Sequence, residues 1–84
     1  VKNGEWKKAA SIWKKYTDSN DNKLAARANY NMAVAAEIQG NIDAAIEWAK
    51  QSLELDDSHK TKSYINLLHK RKQDFRKLKE QLKD

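Results

Sequence analysis

The two histidines are the first residues to consider for catalysis or metal binding, and their spacing argues against both. His59 and His69 are ten residues apart on one predicted helix, so their side chains project about 80° apart and lie about 15 Å apart along the axis. They cannot bind one metal ion together, and the chain contains no cysteine that could complete a site. We therefore expect no metal site.

The serines and glycines likewise lack the patterns that nucleophilic catalysis or phosphate binding requires. No serine lies in a glycine-rich turn of the nucleophile-elbow type. The two glycines, Gly4 and Gly40, are isolated and do not form a phosphate-binding loop. A chain of 84 residues fits a single domain with a thin core. We expect that it is not an enzyme and that it binds no cofactor.

The basic residues are the remaining candidates for a chemical role, and they are concentrated towards the C-terminal end. Residues 1–57 hold eight Lys/Arg and nine Asp/Glu, whereas residues 58–84 hold nine and three. This asymmetry is typical of a surface for an acidic partner, a nucleic acid or an anionic membrane, and also of a solvated helix face. The nine cations are Lys60, Lys62, Lys70, Arg71, Lys72, Arg76, Lys77, Lys79 and Lys83.

Binding of nucleic acid or of an anionic surface by this basic helix is the alternative function. Asp74 and Glu80 interrupt the basic run, and only Tyr64 and Phe75 offer rings on which bases could stack. We therefore expect no nucleic-acid partner. No stretch is apolar enough over 18 residues to suggest a membrane span.

Apolar spacing and turn residues predict the helices that position these groups, over residues 5–16, 23–39, 42–55 and 59–83. Gly40 stands where a left-handed C-cap is needed, and Asn41 can cap the third helix. Such a short connection makes the second and third helices an antiparallel hairpin. Either Asn20 or Asp21 is expected to cap the second helix, and the segment Asp56-Asp57-Ser58 to cap the fourth. The predicted fold class is all-α.

Two segments recur at a spacing close to 35 residues. Residues 4–10 align with residues 40–46, and residues 30–33 align with residues 65–68. A helix–turn–helix unit of this length resembles the tetratricopeptide repeat (TPR), with its best unit over residues 26–59. The resemblance is carried by Met32-Ala33 in the first helix, Gly40-Asn41 in the turn, Ala45 in the second helix and residues 53–56 at the end.

The TPR resemblance implies antiparallel helix hairpins in a right-handed superhelical stack. Residues 1–84 would form one domain, with residues 1–17 as the second helix of a truncated repeat, 22–57 as a full repeat and 58–84 as a long capping helix. The start in mid-repeat, without Met, predicts a fragment of a larger protein. The chain departs from the family pattern at three positions, Asn29, Ala36 and Asp57.

A second, weaker resemblance concerns residues 29–35 and 46–50. They are similar to the C-terminal repeat region of uncharacterised envelope lipoproteins from Bacteroides-type bacteria. This resemblance implies a bacterial protein and an extracytoplasmic location in the cell envelope. A cytoplasmic location is the alternative.

The TPR resemblance also implies protein–protein interaction through a groove that the first helix of each repeat lines. Equivalent positions carry a cation followed four residues later by asparagine, and such a pair can hold the backbone or the carboxylate of an extended or acidic peptide. The predicted peptide-binding residues are Arg27, Tyr30, Asn31, Val34, Lys62, Asn66 and His69. The family's carboxylate clamp has Lys and Asn where this chain has Tyr30 and Val34, so a complete clamp is not predicted.

Large apolar residues supply a third interpretation, a structural or oligomerising helix. Phe75, Leu78 and Leu82 follow one face of the fourth helix as a short a/d seam. Because three positions make less than two heptads, a coiled coil is not predicted, and the oligomeric state stays open. Trp6 and Trp13, seven residues apart, are expected to pack between helices.

Overall fold

The computed structural model describes residues 3–82, and within that range it contains four α-helices and no strand. The helices are α1 (Asn3–Lys14), α2 (Asn22–Ile38), α3 (Ile42–Leu55) and α4 (His59–Gln81). The all-α prediction is therefore confirmed. The predicted helix end at Lys83 and the packing predicted for the Trp6 side chain lie outside the described residues.

The first helix ends two residues earlier than the sequence predicts, at Lys14 instead of Tyr16. The chain tightens there into turns in which the N–H of Lys15 donates to the carbonyl of Ile12 and that of Tyr16 donates to the carbonyl of Trp13. The hydroxyl of Thr17 donates to the Lys14 carbonyl at 2.9 Å. The same carbonyl also accepts from the backbone N–H of Thr17 at 3.4 Å, so Thr17 caps the end of α1 with two hydrogen bonds.

The N-terminus of α2 is capped by Asp21, which decides between the two candidates that the sequence offered. Its Oδ1 accepts from the backbone N–H of Lys23 at 3.0 Å and from that of Leu24 at 3.3 Å. Asp21 has an extended backbone (φ −82°, ψ 107°), as an N-cap residue requires.

The connection between α2 and α3 has the predicted turn chemistry. Gly40 adopts a φ of +85°, which only glycine reaches without strain. The N–H of Gly40 donates to the Glu37 carbonyl and that of Asn41 donates to the Ala36 carbonyl, each at 2.9 Å, which is the Schellman pattern. The Oδ1 of Asn41 then accepts from the N–H of Ala44 at 3.1 Å and begins α3.

Small side chains make the contact between α2 and α3 close. Ala33, Ala45 and Ala49 are fully buried in one cluster with Ile46 and Leu68. Helix axes approach closely only where side chains are small. Near the other end of this hairpin, the hydroxyl of Ser52 donates to the carbonyl of Ala26 at 2.7 Å. The end of α3 therefore lies against the start of α2, and the pair is antiparallel as predicted.

Asn29 joins the connection between α1 and α2 to the core. Its side chain is 1% exposed, and its Nδ2 donates to the carbonyls of Thr17 at 3.2 Å and Ala25 at 2.8 Å. Its Oδ1 is buried and has no hydrogen-bond partner among the described residues. The bond to Thr17 fixes the turn against α2, and the bond to Ala25 lies within α2.

The fourth helix packs on the hairpin with its first half only. Thr61 and Leu68 are buried, and Tyr64 and Ile65 are half-buried against the core cluster. From residue 73 to residue 82 every side chain is exposed. The molecule is elongated in consequence, with principal extents of 50 × 29 × 16 Å.

Candidate functional site

A groove of about 500 Å³ lies between the first half of α2, the end of α3 and the start of α4. We call it the basic groove, because three of its lining residues are cations (Lys23, Arg27 and Lys60) and one is a carboxylate (Asp56). The other residues that line it are Ala26, Tyr30, Asn31, Ser52, Ser58 and Thr61. A concave surface with this excess of positive charge attracts anionic groups.

The floor of the basic groove is formed by two buried polar residues. Ser52 is buried and donates to the Ala26 carbonyl, and Thr61 is 4% exposed beside it. These small polar residues are buried between the helices, so the packing of the fold itself forms the floor of the groove. A preformed site avoids the entropic cost of ordering its walls on binding.

Tyr30 forms the aromatic wall of the basic groove. Its ring lies 5.1 Å from the ring of Tyr64, measured between centroids, with 44° between the planes. The Nζ of Lys60 lies 4.9 Å from the centroid of the Tyr30 ring, within cation–π range. Tyr30 therefore holds the Lys60 ammonium at the mouth of the groove.

The N-terminus of α4 opens into the same groove. Ser58, the last residue of the segment predicted to cap α4, is the N-cap residue, with φ −126° and ψ 132°, but its side chain makes no capping hydrogen bond. The first N–H groups of a helix have no partner within the helix and carry partial positive charge. Together with Arg27 and Lys60, they make this end of the groove suited to a carboxylate.

A cluster around Glu37 fixes α4 against α2. The hydroxyl of Tyr64 donates to Glu37 Oε1 at 3.0 Å, and the guanidinium of Arg71 donates to Glu37 Oε2. Burial raises the pKa of Tyr64, and the hydrogen bond to Glu37 raises it further. The hydrogen bond from Arg71 to Glu37 also raises the pKa of Arg71. These contacts set the rotation of α4 about its axis, and thereby which side chains reach the basic groove.

Of the predicted peptide-binding residues, the structure brings Arg27, Tyr30 and Asn31 together in the basic groove. Lys62 and Asn66 are exposed outside it. Lys62 instead forms an ion pair with Asp57, with 3.2 Å between Nζ and Oδ1.

His69 and Val34 also lie apart from the basic groove. His69 is exposed on the same outer face of α4 as Lys62 and Asn66. Val34 is half-buried and lines a hollow of about 150 Å³ between α1 and α2, together with Trp13 and Asn31. Asn31 thus borders both depressions, and Trp13 lies against α2, where helix packing was expected.

Sequence reasoning missed the residues that form the α4 side of the basic groove. The repeat alignment predicted that Lys62, Asn66 and His69 line the α4 side of the groove. In the structure, Lys60 and Thr61 line that side. One sequence signal could have identified them. In residues 58–61 an N-cap residue, Ser58, is followed by a cation, Lys60, in the first turn of the helix. A cation in that position is unfavourable for the helix dipole, which is a reason to ask what else it does.

The described residues offer neither a metal site nor a membrane span. In residues 3–82 no group of three or more His, Cys, Asp and Glu side chains could hold a metal ion. Over the same range, none of the helices combines the length and apolarity needed to cross a bilayer.

The fold and this groove define a small all-helical domain with a basic concave surface. The chain belongs to the family described as Domain of unknown function (DUF6340), whose model matches residues 1–70. The match covers α1, α2, α3 and the first half of α4. Comparison with curated proteins and with solved structures gave no match.

Proposed function

We propose that this chain is a protein–protein interaction module of TPR-like helical repeats, without catalytic activity of its own, and that its basic groove binds an acidic peptide segment. The observation that carries the proposal is the meeting of Lys23, Arg27 and Lys60 around one concave surface with a single carboxylate, Asp56. Surface cations that only keep a protein soluble need not converge in this way.

Arg27 is the central anchor of the proposed site. It is exposed and lies one helical turn from both Lys23 and Tyr30 on α2, so its guanidinium can reach a ligand in the groove. A guanidinium binds a carboxylate through two parallel hydrogen bonds. Asn31, four residues later, supplies both a donor and an acceptor for the backbone of an extended peptide.

The start of α4 supplies the second anchor. The N–H groups of its first turn and the ammonium of Lys60 can hold a second carboxylate of the ligand. Tyr30 offers an apolar surface between the two anchors. A peptide with acidic side chains, or with a free C-terminal carboxylate next to one, fits this arrangement.

The test uses a fluorescent peptide that ends in four glutamates with a free carboxylate, and fluorescence anisotropy of its mixture with the protein. Arg27→Gln should weaken binding by about tenfold or more, since a hydrogen bond to a charged group contributes about 1.5–3 kcal/mol. Binding should also weaken as salt is added.

Lys62→Gln is the matched control. It removes the same charge from an exposed position outside the basic groove, and we expect an affinity within about twofold of the parent. Equal losses for the two variants would mean that only net charge matters, and the proposed site would be wrong. Retention of binding by Arg27→Gln would contradict it as well.

A further inference from the structure

The second half of α4 carries a row of large apolar side chains that nothing in residues 3–82 covers. Phe75 is 57% exposed, Leu78 51% and Leu82 75%. We call residues 70–82 the arm, because α4 continues there past the end of the α2–α3 hairpin. The family match ends at residue 70, so the apolar row lies in the part of this chain beyond it.

The apolar row continues the buried face of α4. Around the helix, Phe75 lies within about 20° of Leu68, Leu82 within about 40° and Leu78 within about 80°. Leu68 is fully buried against the hairpin, whereas the row begins beside the α2–α3 turn at Phe75 and continues along α4 from there. The arm therefore presents a face of core character that the hairpin does not cover.

A hollow of about 560 Å³ joins the apolar row to the hairpin turn. Ile42 and Phe75 are its apolar residues, and Gly40 and Asn41 form the wall on the turn side. The remaining lining residues are Glu37, Asp43, Lys72, Arg76 and Lys79. Phe75 is the residue of the row that lines this hollow, and Leu78 and Leu82 follow it along α4. We call the hollow and the row together the corner groove.

One flank of this corner groove is basic. Lys72 is already paired with Asp43, at 2.6 Å between Nζ and Oδ1, and this hydrogen bond lowers the pKa of Asp43. Arg76 and Lys79 have no carboxylate within 4 Å among the described residues. Lys79 instead places its Nζ 5.1 Å from the centroid of the Phe75 ring. The two cations are available to a ligand lying over the row.

We propose that the corner groove binds an amphipathic helix of a partner protein, with an apolar face flanked on one side by acidic residues. Phe75, Leu78 and Leu82 stand at positions i, i+3 and i+7, which is the spacing with which one helix meets the apolar face of another. Arg76 and Lys79 would pair with the acidic flank.

The positive charge of the arm argues against a second copy of this chain as the bound partner. The arm holds six Lys/Arg and two Asp/Glu, so two arms lying side by side would repel each other. An acidic helix is attracted by the same charges, and they also speed its association.

A bilayer and a nucleic acid fit the corner groove less well than a helix does. The row faces the side of α4 on which the hairpin lies, so the α2–α3 turn stands beside it and would keep a flat membrane surface away. A phosphate backbone could contact Arg76 and Lys79, but it would leave Leu78 and Leu82 without apolar contact.

The experiment measures anisotropy of a labelled 18-residue helical peptide with leucines at i, i+3 and i+7 and glutamates along one flank, titrated with the full chain. We expect binding that Leu78→Ser and Arg76→Glu each weaken at least tenfold. The matched controls are Ile12→Ser, an exposed apolar position on α1, and Lys77→Glu, an exposed position on the side of α4 opposite Leu68; both should keep parent affinity. Circular dichroism verifies that each variant is folded.

Specific results would overturn the proposal. They are equal binding of a peptide with lysines in place of the glutamates, and no binding up to about 100 μM. A dimer that Leu78→Ser dissociates in sedimentation would identify a second copy as the occupant. Binding of anionic vesicles or single-stranded DNA that Leu78→Ser abolishes would identify those surfaces. Arg27→Gln should bind the helical peptide like the parent, which separates this proposal from the one for the basic groove.

Discussion

The α2–α3 hairpin and the arm of α4 use apolar residues in opposite ways. The hairpin buries small side chains, with Ala28, Ala33, Ala45 and Ala49 fully inaccessible, whereas the arm exposes the large side chain of Phe75 and those of its row. Alanines contribute little apolar area each, but they let two helix backbones approach closely. Large side chains contribute more area only where a neighbour covers them.

This difference underlies our proposal that the hairpin holds the fold together and that the arm contacts another molecule. The hairpin, capped by Asp21 and turned at Gly40, needs nothing beyond the chain to be packed. The arm is tied to it by two polar contacts, Arg71 with Glu37 and Lys72 with Asp43. We therefore expect mutations to affect folding in the first region and binding in the second.

The largest expected effect comes from truncating the same residue type in the two regions. Leu68→Ala should lower the free energy of unfolding by about 3 kcal/mol, because it removes a fully buried side chain from the core cluster. Leu78→Ala in the arm should change it by less than about 0.5 kcal/mol. Urea unfolding followed by circular dichroism measures both. Similar losses of unfolding free energy for the two variants would contradict the proposed division between a folding region and a binding region.

A smaller effect is expected from the buried asparagine. Asn29→Ala should cost about 1–2 kcal/mol, since it removes the hydrogen bond that holds the α1–α2 connection at Thr17 and the bond to Ala25 within α2. Asn66→Ala, on the exposed face of α4, is the matched control and should be neutral or slightly stabilising, because alanine is the better helix former. Thermal unfolding of the two variants is the measurement. A neutral Asn29→Ala would show that the connection is held by other contacts.

The contact between α2 and α4 should show a pH dependence. The pKa of Tyr64 is raised above its ordinary value of 10 by burial and by the bond to Glu37. The unfolded chain therefore loses this proton first as the pH rises, so the stabilising contribution is complete below pH 10 and is lost above it. Tyr64→Phe should lower the free energy of unfolding by about 1 kcal/mol at neutral pH. It should also remove the loss of stability above pH 10 that comes from ionisation of Tyr64.

Tyr16→Phe provides the control for this pH dependence, because Tyr16 is an exposed residue at the end of α1. The free energy of unfolding of Tyr16→Phe should depend on pH in the same way as that of the parent chain, from neutral to alkaline pH. If Tyr64→Phe followed the parent curve as well, the hydroxyl of Tyr64 would not join α4 to α2 as the structure indicates.

The smallest effect is predicted for nucleic acid. We expect no binding tighter than about 10⁻⁵ M at physiological salt, the weak non-specific range. Three of the cations of the arm are already paired with carboxylates of the chain, Lys70 with Asp74, Arg71 with Glu37 and Lys72 with Asp43. Sub-micromolar binding of DNA or RNA in an anisotropy assay would favour the basic arm as a nucleic-acid site.

Local features of the fold could be predicted from the sequence because short-range chemistry determines them. Gly40 and Asn41 define the hairpin turn through a positive φ and a capping amide, both properties of the residues themselves. The inward positions Ala45, Ile46 and Ala49 follow from helical periodicity. Each of these features involves residues within about two helical turns of one another.

The rotation of α4 about its axis could not be predicted in the same way. Its apolar face is broad, from Tyr64 to Leu68, and so several rotations bury it about equally well. The structure selects one rotation through the bonds of Tyr64 and Arg71 to Glu37, which lies 27 and 34 residues away in sequence. This rotation places Lys60, and not Lys62, in the basic groove.

The most direct test of the basic groove as a peptide-binding site is an NMR titration of the ¹⁵N-labelled chain with the peptide ending in four glutamates. We predict that the largest amide shifts cluster at Lys23, Arg27, Tyr30, Lys60 and Thr61, with little change along the outer face of α4. Shifts concentrated instead at Lys62, Asn66 and His69, or spread evenly over all cations, would contradict the basic groove as the binding site.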